Sequence, residues 1–448
     1  MTTDVKNDAS NNQLKRTLTL IPLVLIGLAY MDPLVVLDTY GVVAQVTKGH
    51  VATAYVAILV ALLFTAYSYG KMVKAYPSAG SIFTYTQKSI HPTVGFLVGW
   101  AVLLDYLFLP MVDLAIGGVF LSAAFPSIPI TVWVPILAVI ITTINIFGIQ
   151  LTAAITSLFV TFQTLVLFVF VGFVIHGINE GMGMATLLSA DPFYTAQMEL
   201  SPVLAGASIL CISFLGFDAV TTLSEETINP TKTLPRAIFL IALLGGVMFI
   251  GTSYVLQLVH PDFTSFKNTD AAALEIAVFV GGSFLKAFFL SGTIVAIFSA
   301  SLSAHASASR LLYAMGREGA LPKPFAYIHP KYKTPVFNIV FIGAISLTAV
   351  LGELEIIYSF ISFGALLGFL FVNLSVIAHY FIRGKKRARG DVIRYLIAPS
   401  IGALLILWLF SSLHTTAMLL GGGWLVIGIL YTVFVLKGKV DYSLTLDR

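Results

Sequence analysis

The stretch GLAYMDP, residues 27–33, sets Asp32 in the middle of the first long apolar segment of the chain. A carboxylate at bilayer depth costs about 2.5–3.5 kcal/mol on insertion scales, so a membrane chain keeps one there for a purpose. Gly27 and Pro33 flank the acid, and both residue types interrupt a helix. The expectation is a first membrane helix broken over 27–33, with the acid at the break. Backbone N–H and C=O groups freed by such a break are tolerable in a membrane only where they line a protein cavity or meet a ligand. A broken helix that carries an acid near the midplane is a place where a carrier holds a cation.

Composition fixes the class around that segment. Of the 448 residues, 58% are hydrophobic and 10% charged, and the mean hydropathy is +0.94, more apolar surface than a soluble chain of this length could hide. The chain is an all-α membrane protein whose first partner is the lipid bilayer. The net charge of +4 is accounted for by topology and gives no reason to expect nucleic acid. A single cysteine, Cys211, excludes an internal disulfide framework, and no cysteine cluster suggests a metal or cofactor. Residues 1–16 are polar and carry no cleavable signal pattern, so the apolar segment from Leu18 acts as its own insertion signal.

Segments long enough to cross about 30 Å of hydrocarbon number twelve. They fall near 18–46, 51–74, 94–122, 131–150, 153–177, 202–225, 236–260, 283–315, 335–352, 356–382, 391–411 and 416–436. With the N-terminus inside, Lys71, Lys74, Lys88, Lys232, Arg236, Arg310, Arg317, Lys323, Lys331, Lys333 and the Arg383–Arg394 cluster share the cytoplasmic side. Only Lys48, Lys267 and Lys286 fall outside. The positive-inside rule therefore places both termini in the cytoplasm. The outer loops hold Glu180, Asp191, Glu199, Asp262, Asp270, Glu353 and Glu355, a bias that either concentrates cations at an external mouth or solvates ordinary loops. The chain divides into a cytoplasmic tail (1–17), a ten-helix core (18–382), a basic loop (383–390), two peripheral helices (391–436) and a second cytoplasmic tail (437–448).

A second break is expected in span six, at Ser213–Asp218 in SFLGFDAV. It lies five spans after the first, as it would if spans 1–5 and 6–10 were halves of an inverted repeat. Asp32, Asp38, Asp105, Asp113 and Asp218 all fall within spans, and almost no basic side chain lies deep enough to neutralise them. Unpaired acids in low dielectric either take up protons or wait for an external cation. Asp105 and Asp113 stand eight residues apart around Pro110, within about a quarter turn of one helix face. Each either lines the pathway or plays a structural part. Asp38 either acts with them or hydrogen-bonds near Thr39 and Tyr40. Tyr30, Tyr106, Phe214, Phe217 and Tyr358 lie at or near the breaks and on spans three and ten. Aromatic faces attract amines by about 0.5–2 kcal/mol. A channel would need no non-equivalent broken helices. A membrane enzyme would need a Ser–His, Cys–His or HExxH arrangement, which the sequence lacks. A transport-fold sensor would need a signalling domain.

The run FLGFDAVTTLSEETINPTKTLPRAI (214–238) resembles the span-six signature of the amino acid–polyamine–organocation superfamily. YPSAGSIFTYTQ (76–87) and SRLLYAMGREGALP (309–322) match further signatures of the group, and GLAYMDP, DTYG (38–41) and LLDYLFLP (103–110) look most like bacterial putrescine importers. The resemblance implies a LeuT-type fold with a 5+5 inverted repeat, in which spans 1, 2, 6 and 7 rock against spans 3, 4, 8 and 9. It implies a secondary active importer of a cationic amine in the bacterial inner membrane, driven by protons or by exchange. The alternative is an amino acid permease or an amine/amino acid exchanger of the same fold.

Cargo would then bind at Gly27, Tyr30, Met31, Asp32, Asp105, Tyr106, Asp113, Ser213, Phe214, Gly216, Phe217 and Tyr358. Asp218, carried over by the match at GFD, is the expected acceptor of a coupling proton. Glu225 and Glu226 follow at the inner end of span six, with a structural or gating part expected through Lys232, Arg236 or another inner basic residue. Some relatives carry a lysine in span five in place of sodium; here Gln163 stands at that position and cannot titrate. His305, expected to bond among Ser301, Ser303 and Ser307, is the other titratable candidate, and Ser299 with Ser303 could serve a sodium ion instead.

Overall fold

The structure, a computed structural model, describes residues 14–348, 354–413 and 415–435, without the side chains of 123, 124, 270 and 354–360. All regular elements among them are helical, and the one β-type contact is an isolated parallel bridge between Leu18 and Thr227. In chain order the helices are α1 (Leu20–Met31), α2 (Val35–Val46), α3 (Val51–Ala75), α4 (Ser81–Ser89), α5 (Pro92–Ala124), α6 (Ile130–Phe147) and α7 (Ile149–Asn179). They continue as α8 (Leu200–Ile209), α9 (Pro230–Val259), α10 (Ala272–Arg317), α11 (Val336–Ser346), α12 (Leu354–Val376), α13 (Ala398–Ser411) and α14 (Thr415–Phe434). Ten of the described helical stretches are long and apolar enough to cross a bilayer, or eleven with the α1–α2 pair counted as one span bent by 41°. This is a multi-pass membrane protein.

The first helix breaks more narrowly than the sequence suggested. α1 runs unbroken through Gly27 to Met31, and the break occupies only Asp32, Pro33 and Leu34. One glycine costs a helix about 1 kcal/mol, too little to end it. Gly27 instead permits close approach of α9, since a Cβ there would strike the Ile241 side chain. The joint between the fourth and fifth spans is likewise Gly148 alone, at φ 120°, so α7 begins at Ile149 rather than near 153. Gly282 (φ 59°, ψ −150°) interrupts α10 where the eighth span was expected to begin. The expected ninth span is represented by α11, 11 residues long, and part of its range lies in the undescribed 349–353.

The core is centred on α10, whose residues from Ser299 to Gly316 are all buried. Its alternating serines and alanines let backbones approach closely, as small residues do between membrane helices. α10 packs on α5 and α7, α3 on α9, and α12 on α5. Towards the periphery, α14 is clasped to α5 by two reciprocal bonds. Trp100 Nε1 donates to the Trp424 carbonyl (3.0 Å) and Trp424 Nε1 to the Trp100 carbonyl (2.7 Å), with the rings stacked at 4.7 Å. Of the expected N-terminal tail, residues 1–13 lie outside the described residues. The remainder is docked: Leu14 packs with Tyr313 and Ile328, and the Thr17 and Leu18 amides donate to the Glu226 carbonyl. The expected C-terminal tail, 437–448, lies outside the described residues.

Candidate functional site: two broken helices and a set of buried acids

Asp32 ends α1 with φ 56° and ψ 102°, a backbone region that aspartate visits more readily than most residues. Its Oδ1 accepts from the Leu34 amide (2.9 Å), and its carbonyl accepts from the Val35 amide (3.1 Å). One carboxylate oxygen therefore caps the second half of the broken helix, while Oδ2 has no protein partner among the described residues. Pro33 contributes no N–H donor, which removes one orphan from the break.

The second break combines two features. The chain tightens from α8 into a 3₁₀ turn (Leu210–Phe214), passes Gly216 at φ 102°, and resumes as a 3₁₀ helix over Ala219–Glu226. Gly216 is required twice over, because its φ is left-handed and a Cβ would enter the Tyr30 ring. Gly216 thus lies against Tyr30 in the last turn of α1, two residues before the first break.

Around this contact the acids gather. Asp218 is buried, and its Oδ2 accepts from the Tyr69 hydroxyl (2.8 Å) and the Tyr106 hydroxyl (3.4 Å), while Oδ1 is buried without a partner. Asp105 Oδ1, Asp113 Oδ2 and the Tyr30 hydroxyl are likewise buried and unpartnered. Asp105, Asp113 and Asp218 all stand close enough to Tyr30 for their charges to act on it. Asp105 neighbours Asp218, whereas Asp113 neighbours Asp32, which in turn neighbours Asp38. The acids therefore fall into two poles, Asp105–Asp218 and Asp32–Asp113–Asp38, joined at Tyr30. Asp38 is exposed despite its place in a span, whereas Asp105 and Asp218 are buried.

Among the described residues, no basic side chain forms an ion pair with these groups. The three ion pairs of the described residues are Lys48–Glu199 (2.9 Å), Arg310–Glu226 (2.9 Å) and Arg317–Glu225 (2.7 Å). Unsatisfied buried carboxylate oxygens are costly, and converging without a counter-ion they form a receptor for an external cation or for protons. An apolar cavity of about 240 Å³ among Leu114, Leu137, Ile141, Phe159, Ile294 and Phe298 has none of these acids in its wall.

The other expected site residues divide. Tyr106 joins the acids and meets Tyr30 edge-on at 6.5 Å. Phe217 is buried between Tyr69 (6.0 Å) and Phe369 (5.2 Å). Ser213 faces the Tyr55 hydroxyl (3.3 Å), and Phe214 packs at a tilt against Tyr55 and edge-on against Phe249, on the flank towards α3 and α9. Gly27 and Met31 face α9, Met31 against Gly245. Tyr358 lies on α12, with its side chain outside the described residues. Tyr69 was missed; as one of 18 tyrosines with no unusual neighbours in sequence, it carries no local signal.

Glu225 and Glu226 do pair with basic residues, but with those of α10 rather than with Lys232 or Arg236. Glu226 takes a bidentate bond from a fully buried Arg310 (2.9 and 3.0 Å), and Glu225 takes one from Arg317 (2.8 and 2.7 Å). Lys232 and Arg236 sit on α9, after a left-handed Asn229 has turned the chain away. His305 gives its Nε2 to the Ile339 carbonyl (2.8 Å), not to the serines around it, because those serines share its own helix while α11 presents a carbonyl. A carbonyl only accepts, so the proton sits on Nε2. Gln163 donates to the Val295 carbonyl (3.5 Å) and leaves Oε1 buried without a partner.

Two broken helices, the second packed at Gly216 against the last turn of the first and both beside unneutralised acids, define a membrane carrier for a small charged solute. The profile of the Amino acid permease family matches residues 23–438, and the chain belongs to that family. It is 44% identical to the low-affinity putrescine importer PlaP of Escherichia coli strain K12, over 98% of this chain and 97% of the relative. It is 24% identical to the branched-chain amino acid permease BcaP of Bacillus subtilis, over 97% and 94% of the two chains. It is 29% identical to cationic amino acid transporter 4 of Mus musculus, over 83% of this chain and 61% of the relative. These relatives are transporters, not enzymes.

Proposed function

We propose that the chain is a secondary active importer of a small cationic polyamine, putrescine foremost, in a bacterial inner membrane with both termini cytoplasmic. The observation that carries this is the set of buried carboxylate oxygens on Asp105, Asp113 and Asp218 that find no partner and no basic neighbour. A zwitterionic amino acid would bring its own carboxylate into that field; a diamine brings only positive charge. The two poles suit a cargo with two cationic ends, one amine at Asp32 and Asp113 and the other at Asp105, with the alkyl spacer against Tyr30, Tyr106 and Phe217. The near full-length identity to a putrescine importer supports the same cargo class.

The paired breaks support a reading of alternating access in a twelve-span LeuT-type fold with a 5+5 inverted repeat. In the state described, Asp38 is exposed on one side, while the other side is closed by Glu226–Arg310, Glu225–Arg317 and the docked residues 14–18. Opening inward would part Glu225 from Arg317 and leave the fully buried Glu226–Arg310 pair as a pivot. Asp218, beside the unwound backbone, receives the coupling proton.

Uptake of labelled putrescine into proteoliposomes tests this, with neutral and cationic amino acids as competitors. Competition by diamines alone is expected, and Asp32→Asn should abolish binding with expression intact. The missing charge-assisted contact costs at least about 1.5–3 kcal/mol. Efficient competition by leucine or arginine would identify an amino acid permease, and near-native putrescine affinity in Asp32→Asn would remove Asp32 from the site.

A further inference from the structure

At the C-terminal end of α3, cations collect against an aromatic platform. Lys71 lies over the rings of Tyr67 (4.9 Å) and Tyr395 (5.4 Å), and Lys386 lies over Tyr380 (5.1 Å) and Tyr395 (5.5 Å). Tyr380 and Tyr395 stack at 4.5 Å. The hydroxyls of Tyr67 and Tyr380 are spent on backbone, donating to the Arg394 carbonyl (3.2 Å) and the Lys71 carbonyl (3.0 Å). The ring faces are thereby fixed towards the ammonium groups. Lys74, Lys386 and Arg394 all stand close enough to Lys71 for their charges to add.

No acid is ion-paired to any of these four cations among the described residues. Asp391 is the only acid in the 377–397 segment, and it makes no ion pair. Like charges held together without a counter-ion repel, and such an arrangement persists where an anion completes it. The backbone is also unusual here. Ile377–Arg383 and Ile393–Ile397 are both π-helical, a rare winding that clusters at functional sites, and they carry the two stacked tyrosines. Exposed isoleucines at 382, 393 and 397 alternate with the cations on the same segments.

We propose that the ends of α3 and α12, with residues 377–397, bind the phosphodiester headgroup of an anionic phospholipid. Lys71, Lys386 and Arg394 contact the headgroup, and Ile382, Ile393 and Ile397 lie along its acyl chains. Charge complementarity selects the anion, and the adjoining exposed isoleucines select a lipid over a soluble phosphate. The site is independent of the transported cargo, so it stands or falls apart from the import assignment.

The test titrates cardiolipin or phosphatidylglycerol into the purified full-length protein in phosphatidylcholine nanodiscs, reading bound lipid by native mass spectrometry and thermal stability. Each cation near a membrane surface is worth roughly fivefold in affinity. Lys71→Gln/Lys386→Gln/Arg394→Gln should therefore weaken anionic-lipid binding about a hundredfold, with phosphatidylcholine retention unchanged. Should the triple variant fail to fold, Lys386→Gln alone, on an exposed side chain, should weaken binding about fivefold. Lys323→Gln/Lys331→Gln, which are not among the cations that act on Lys71, should bind lipid as the parent does. Wild-type lipid affinity in Lys386→Gln or in a folded triple variant would overturn the proposal. So would inorganic phosphate at millimolar concentration reproducing the stabilisation, since that would identify a soluble-anion site.

Discussion

Asp105→Asn isolates the far end of the cargo from the folding of the protein. Asp105 Oδ1 has no protein partner, and the charge nearest to it is another acid, Asp218. The isosteric amide removes no internal hydrogen bond and relieves a like-charge pair, so the unliganded variant should melt at or above the temperature of the parent. In the complex it loses a charge-assisted bond to an ammonium group, worth about 1.5–3 kcal/mol, or about 10- to 160-fold in Kd. Butylamine, with one amine and the same four-carbon spacer, would place its amine at Asp32 and its methyl end at Asp105. Its affinity should change less than about threefold, within the range of a distant and indirect effect. Isothermal titration of both ligands, with a melting curve on each sample, separates the outcomes. Equal losses for the two amines, or no loss for putrescine, would mean that Asp105 does not receive the second amine.

Asp218→Asn keeps an oxygen for Tyr69 and Tyr106, so it should bind putrescine within about an order of magnitude of the parent. Accumulation driven by an imposed pH gradient should then fall to the level seen without a gradient. Gradient-driven accumulation that persists would place the coupling proton elsewhere, on His305 or on the amine-binding carboxylates. Arg310→Met should destabilise the protein by about 3–5 kcal/mol by leaving Glu226 buried and unpaired. Arg310→Met/Glu226→Leu should recover most of that loss in chemical denaturation in detergent, and a double variant no better than the single would point to packing rather than charge.

The features readable in the sequence were those written into consecutive residues. Asp32 next to Pro33 marks its break because a proline and a buried acid each violate the rule of an unbroken apolar helix. Gly216, two residues before the buried Asp218, marks the second break for a similar reason. Gly27 misled because a glycine in a membrane helix serves close packing as readily as interruption, and only the position of Ile241 distinguishes the two. The partners of Glu225 and Glu226 were out of reach, since Arg310 lies 84 residues further on and Lys232 and Arg236 are the nearer basic residues. Tyr69 was hidden for a related reason. Its hydroxyl meets Asp218 across 149 residues, and nothing around it in sequence sets it apart from a packing tyrosine. The acids themselves were legible, but their division into two poles depends on how α5 is turned against the broken helices.

The separation of Glu226 from Arg310 also bears on how the chain is made. With 84 residues between them, and synthesis at about 5–20 residues per second, the glutamate waits about 4–17 s for its arginine. Over that interval a lone carboxylate at the end of the sixth span resists burial by up to about 2.5–3.5 kcal/mol. Until α10 arrives, the end of the sixth span is therefore expected to stay at the headgroup level, where water solvates the glutamate. Final docking of the sixth span is thus post-insertional, and its timing is set by a helix two spans downstream.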